Sequence, residues 1–155
     1  MRCTQCLKDP TFHHFDFLMR NSKGDGIYFT SPSKGKARKL TESELDNYFS
    51  HMDDASMTSW VWIIDCKGMD KFEMPNLAIL KKFMESIQER YKFVLKEIFI
   101  VNLNWKMSMI LQMIRPFMKE EAKKRLIICD SPLQLLHLGL GSDTIKLFTH
   151  SAASC

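Results

Sequence analysis

Apolar residues in this chain recur with two different periods, and the switches between them mark out its elements. WVWII (60–64), IFIV (98–101) and LIIC (126–129) are unbroken apolar runs of strand length, the pattern of strands covered on both faces. Leu45, Tyr48, Phe49 and Met52 stand at i, i+3, i+4 and i+7, which predicts a helix over 42–52. In front of it Thr41 and Glu44 form a T-x-x-E capping box. Pro75 suits the first turn of the next helix, where Leu77, Leu80, Phe83, Met84, Ile87 and Tyr91 repeat at helical spacing. Lys81, Lys82, Glu85, Gln88 and Glu89 take its wet side. GIYFT (26–30) reads as a short strand between the turn-rich NSKGDG and SPSKGK, and FHHFDFL (12–18) as another. A short helix is expected at 132–138 and a last strand at IKLF (145–148). Strands alternating with helices predict one α/β domain, a mostly parallel mixed sheet covered by crossover helices.

One helix breaks the one-sided rule. In NLNWKMSMILQMIRPFM (102–118), with Asn104 as N-cap, Met107, Ile110, Leu111, Ile114, Phe117 and Met118 form one apolar face. Trp105, Met109 and Met113 fall outside it. The apolar arc covers roughly two-thirds of the circumference, against the ~100° stripe that packing on one side requires. A helix enclosed in the core would look the same, but a two-layer domain this short rarely encloses one. The expectation is that one face packs on the sheet while the other meets an apolar ligand or a partner. The methionines suit a surface that adapts to varied shapes, and Pro116 is expected to kink the helix as a hinge.

A chain of 155 residues fits a single domain with a real core. No apolar run reaches the ~18 residues of a membrane span, and MRCTQCLKDP has no signal-peptide core. A cytoplasmic protein, at most peripherally attached to membranes, is expected. Five cysteines, an odd number, fit a reducing compartment; Cys66 and Cys129 close apolar runs and are expected to act as small hydrophobes. The net charge of +4 suits an anionic partner surface without demanding one. Basic residues gather in SKGKARK (33–39) and KKR (123–125), read first as a solvated loop and helix end, second as contacts for a phosphate or acidic lipid. No aromatic residues interleave with them, so nucleic acid is not expected.

Asp65, Asn102 and Asp130 end the three core strands, where ligands of parallel sheets gather. No phosphate-binding glycine loop follows any strand, and turn chemistry is the preferred reading of these three. Cys3 and Cys6 form a C-x-x-C near His13 and His14. Adjacent histidines on a strand point opposite ways, which leaves a zinc site one ligand short, so no metal is expected. A redox role is disfavoured because Pro10 follows so soon. His51, His137 and His150 have no evident partner, no nucleophile elbow is present, and neither enzyme activity nor a cofactor is expected.

WVWIIDCKGM and ERYKFVLKEIFIVNLNWKMSMILQMIRPFMKEEAKKRLIICDSPLQLL together resemble the CRAL-TRIO lipid-binding domain. The shared features are an apolar strand ending in D-x-x-G (Asp65 to Gly68), a helix ending in Tyr91 and a strand ending in Asn102. A helix carrying Pro116-Phe117 and a basic residue, Arg125, opening the next strand complete the set. The resemblance is strongest over 60–137. It implies a sheet floor beneath a hydrophobic pocket, with the helix after Asn102 acting as a gate, and a phospholipid or other long apolar ligand inside. On that basis Trp105, Met109, Ile110, Met113 and Phe117 are expected to bind the ligand, and Arg125 and Lys124 its phosphate.

Departures accompany the likeness. The Tyr-Pro-Glu-Arg of phosphatidylinositol-binding members is replaced by Tyr91-Lys92-Phe93-Val94, the proline after the Asn strand by Asn104, and the terminal L-P-x-x-x-G-G by LGLGS. The family's usual N-terminal helical module is absent from 1–155. Tyr91, Lys92, Leu95 and Lys96, with Trp105 after the strand, resemble instead the BCH branch of the superfamily. That branch implies an alternative role, a scaffold binding small GTPases or their regulators.

Overall fold

The computed structural model describes residues 3–141 and 144–146. Five strands form one sheet in the order in which they occur: β1 (Asp16–Arg20), β2 (Gly26–Thr30), β3 (Trp60–Asp65), β4 (Leu95–Val101) and β5 (Leu126–Ile128). β1 is antiparallel to β2; every other pairing is parallel. The α-helices are α1 (Thr4–Lys8), α2 (Glu42–Ala55), α3 (Leu77–Arg90), α4 (Trp105–Ile114) and α5 (Glu120–Arg125).

Four parallel strands laid down in chain order, joined by crossovers of one hand, put every crossover helix on the same face. The side chains bear this out. Trp60 and Trp62 pack with Leu45, Phe49 and Met52 of α2 and with Ile87 of α3. Leu80 and Met84 of α3 meet Ile110, Leu111 and Ile114 of α4. The alternate residues Ile27, Phe29, Val61, Ile63, Phe99 and Val101 point the other way, as the two-residue period dictates. They are covered by Leu135, Leu138, Leu140 and Ile145.

Outside α4, the predicted elements stand with four adjustments. β1 starts at Asp16, because the backbone before it turns to other partners: Phe12 C=O accepts from Lys36 N–H at 2.7 Å. Pro75 precedes α3 rather than opening it; Asn76 is the N-cap and accepts from Ile79 N–H at 2.9 Å. Residues 132–138 form a 3₁₀ helix capped by Ser131. Of the expected strand 145–148, residues 145 and 146 are helical and 147–148 lie outside the described residues.

The capping box at α2 is half made. Thr41 accepts from Glu44 N–H at 3.2 Å, but the Glu44 carboxylate turns to His13 instead of reaching back. The basic loop 34–39 is largely tied to its own protein. Lys36 pairs with Asp9, Lys39 with Glu73, and Arg38 donates to the Gly35 and Ala37 carbonyls. Cys66 is a fully buried free thiol; burial, then Asp65, pushes it up to about 12.

Candidate ligand-binding site

The floor of the site follows from the register. Trp62 lies opposite Ile98 and Ile98 opposite Leu126, while Ile64 lies opposite Ile100. All five project toward the helical layer and line one cavity of about 240 Å³. α3 supplies one wall with Phe83, Met84, Ile87 and Gln88, and Tyr91 closes its end. α4 supplies the facing wall with Met107, Leu111 and Ile114; Met118, Ala122 and Arg125 complete the cover.

The floor is anchored by polar pairs at its edges. The Trp62 indole N–H donates to Thr30 Oγ1 at 2.8 Å, so a buried donor is satisfied without opening the apolar surface. The Tyr91 hydroxyl donates to Asp53 at 2.7 Å, which ties the end of α3 to α2. Burial and then that bond raise the Tyr91 hydroxyl well above its ordinary range.

The cover is built from a broken helix. Pro116 has no N–H to continue the ladder, so α4 ends at Ile114 and a 3₁₀ turn, Arg115–Phe117, follows. The expected kink is therefore a stop. Gln88 holds this turn in place: its amide nitrogen donates to Phe117 C=O at 2.8 Å and its oxygen accepts from Lys119 N–H at 2.6 Å. This residue, placed on the wet side of its helix by the sequence pattern, is half-buried and clasps the cover. Arg125 donates to the carbonyls of Lys92 and of Leu95, the latter at 3.2 Å, and ties α5 to the loop before β4. At the other end of α4, Asn104 accepts from Met107 N–H and donates to Cys66 C=O. The Lys106 ammonium, buried, donates to Asp70 C=O at 2.6 Å and to Phe72 C=O.

Of the seven residues expected to contact the ligand, the cavity takes one, Arg125, and its guanidinium is engaged with backbone carbonyls. Ile110 is buried between α3 and α4, and Met113 packs on the same cluster. Phe117 lies beneath Lys81, whose ammonium is 5.4 Å from the ring centre. Lys124 is exposed on α5. Trp105 and Met109 are 63 % and 46 % exposed on the outer side of α4. The difference in placement has a simple cause. α4 is greasy on two flanks, and the flank turned to the cavity is that of Met107, Leu111 and Ile114, which had been assigned to ordinary packing on the sheet. The charged rim is likewise Lys92, Lys119, Glu121 and Arg125 rather than Lys124.

At the carboxyl ends of the strands, Asp65 accepts from Lys67 N–H at 3.0 Å and from the Asn102 amide at 2.9 Å. Asn102 adopts a left-handed φ of 53°. These are the turn and strand-stitching roles expected of Asp and Asn there.

No curated protein sequence matches the chain. Among solved structures, the crystal structure of Sfh5 superposes with a TM-score of 0.63 over 88 % of this chain at 13 % identity. The chain spans about half, 52 %, of that structure's chain. The likeness shows a shared α/β fold. The CRAL/TRIO domain matches residues 29–138, which contain all the strands from β3 onward and every wall of the cavity. The chain belongs to the CRAL/TRIO domain family.

Proposed function

We propose that this chain binds a long apolar ligand, a phospholipid or similar lipid, under α4 and α5 and exchanges it with membranes. The observation that carries the reading is the cavity itself: sheet, α3 and α4 converge on one apolar space with a rim of three basic residues and one acidic residue. CRAL-TRIO domains as a family bind lipophilic small molecules. Ligand pockets usually run to roughly 300–1,000 Å³, so 240 Å³ accepts an acyl segment in the closed form, and a whole two-chain lipid requires the cover to lift. The role is binding rather than catalysis.

The test is extraction. The protein, purified from cells without added lipid, is extracted with organic solvent and the extract is examined by mass spectrometry. About one lipid per chain is expected. A lipid-free protein that also fails to move fluorescent phospholipid between vesicles would sink the proposal. If it instead captured a small GTPase, the BCH-like scaffold reading would take its place.

Two variants refine this. Gln88→Met keeps the side-chain length and removes the clasp on Phe117 and Lys119. Two hydrogen bonds of about 1 kcal/mol each hold the cover down, so lipid release to acceptor vesicles should quicken by roughly tenfold or more. An unchanged release rate would mean that the cover does not open at this turn. Met109→Glu alters the outer flank that, with Trp105, faces solvent. In this reading that flank rests on an anionic bilayer, where Trp is favoured. The variant should keep its extracted lipid yet transfer it more slowly; loss of the lipid itself would place Met109 inside the pocket after all.

A further inference from the structure

Away from the cavity walls, the amino-terminal segment brings together four residues that none of the preceding roles uses. His13 Nδ1 lies 3.4 Å from Cys3 Sγ and 3.4 Å from Cys6 Sγ. Cys6 Sγ is 3.5 Å from His51 Nε2. The four ligand atoms all lie within 4.8 Å of one another, and none of the four residues lines the lipid cavity. In a tetrahedral zinc site with bonds of ~2.0–2.3 Å, ligand atoms stand about 3.3–3.8 Å apart. The closest contacts here already have that spacing, and the widest pair need only draw in by roughly an ångström.

The sequence reading stopped one ligand short. His13 and His14 do diverge: His14 accepts from Ser31 N–H at 2.9 Å and stays out of the cluster. The fourth ligand comes from α2, whose third turn presents His51.

Three further observations point the same way. His13 Nε2 is 2.6 Å from the Glu44 carboxylate, which accepts the proton on that nitrogen and leaves Nδ1 with a lone pair aimed at both sulfurs. A carboxylate behind the histidine is how metal-bound imidazoles are usually oriented. It also explains why Glu44 abandons its capping box. Next, α1 is five residues long and buries none of its own side chains, far too short to persist by itself. It meets α2 through Cys6, beside His51, and through an exposed Thr4–Asn47 hydrogen bond of 3.4 Å, while Cys3 at its N-cap meets His13. Finally, the ligand set of two thiols and two imidazoles, with Cys3 and His13 buried, suits zinc over harder cations.

We propose that Cys3, Cys6, His13 and His51 bind one zinc ion that staples α1 and the following loop to α2, with Glu44 orienting His13. Binding releases the thiol protons to solvent; the ion undergoes no redox change, and the site is structural because all four positions come from protein.

The full chain, made without a histidine tag in zinc-supplied cells, should contain about one zinc per molecule by elemental analysis. Replacing it with cobalt should give the intense visible bands of tetrahedral coordination and a thiolate-to-cobalt charge-transfer band. Cys6→Ser and His51→Asn should abolish both signals. Should those variants fail to fold, Glu44→Gln retains all four ligands and should weaken zinc binding by roughly 10–100-fold in chelator competition. A wild-type protein that carries no zinc and gives only octahedral cobalt spectra would overturn the proposal. So would a wild-type spectrum in either ligand variant, or recovery of Cys3 and Cys6 as a disulfide without metal.

Discussion

Ala122→Trp should empty this protein of lipid while leaving it folded. Ala122 sits on α5, partly exposed, with its methyl at the edge of the cavity. An indole at this lining position would take up part of a space of about 240 Å³ and, on the proposed reading, displace the acyl segment held there. Denying burial to four or five methylenes at about 0.8 kcal/mol each removes 3–4 kcal/mol, a loss of a few hundredfold in affinity. Because the site is at the rim, thermal unfolding should shift by no more than about 4 °C. The check is lipid per chain after extraction together with vesicle transfer, beside a melting curve. Full lipid occupancy in a folded Ala122→Trp protein would mean that the ligand lies elsewhere.

Gly68→Ala should cost about 2–4 kcal/mol of stability without touching the cavity. The glycine ends the D-x-x-G run after β3 and has φ of 76°, the left-handed region that side chains resist. An added Cβ would also stand 2.8 Å from Ser33 Cβ and 2.9 Å from Ser33 Oγ. Two separable causes therefore act together. Adding Ser33→Gly should recover the part due to crowding and leave the part due to φ. Denaturant unfolding of the single and double variants measures both; a Gly68→Ala protein as stable as the parent would refute the account. The motif read as a family signature thus has a local reason: a left-handed φ at Gly68, and a loop after β3 that passes too close to the Ser33 side chain to admit a Cβ.

The elements that were legible in the sequence are those whose period has one interpretation. WVWII and IFIV have no polar residue to place, so they could only be strands covered on both sides, and they became β3 and β4. Leu45, Phe49 and Met52 mark one narrow stripe, and all three are buried on α2. The site was less legible because its residues have two interpretations. On α4 both flanks are apolar, and nothing local distinguishes the one that meets α3 and the cavity from the one that meets water. Gln88 looked like any polar residue on a wet face; only the later arrival of Phe117 and Lys119 makes it a clasp. His51 is 38 positions from His13, and their proximity depends on how α2 lies on the sheet. One clue was available: Glu44 and His51 are seven residues apart, two helical turns, and so share a face of α2.

The strand order described above divides the molecule into two compartments with different duties. Every crossover helix stands in front of the sheet, and the packing behind it comes from the segment after β5. Lipid exchange of the kind proposed would therefore disturb only the front. The rear layer of Leu135, Leu138 and Leu140, with Phe99 and Val101 against it, shares no residue with the cavity walls and would stay shut under the proposed exchange, like the fixed back of a drawer whose front alone is pulled open.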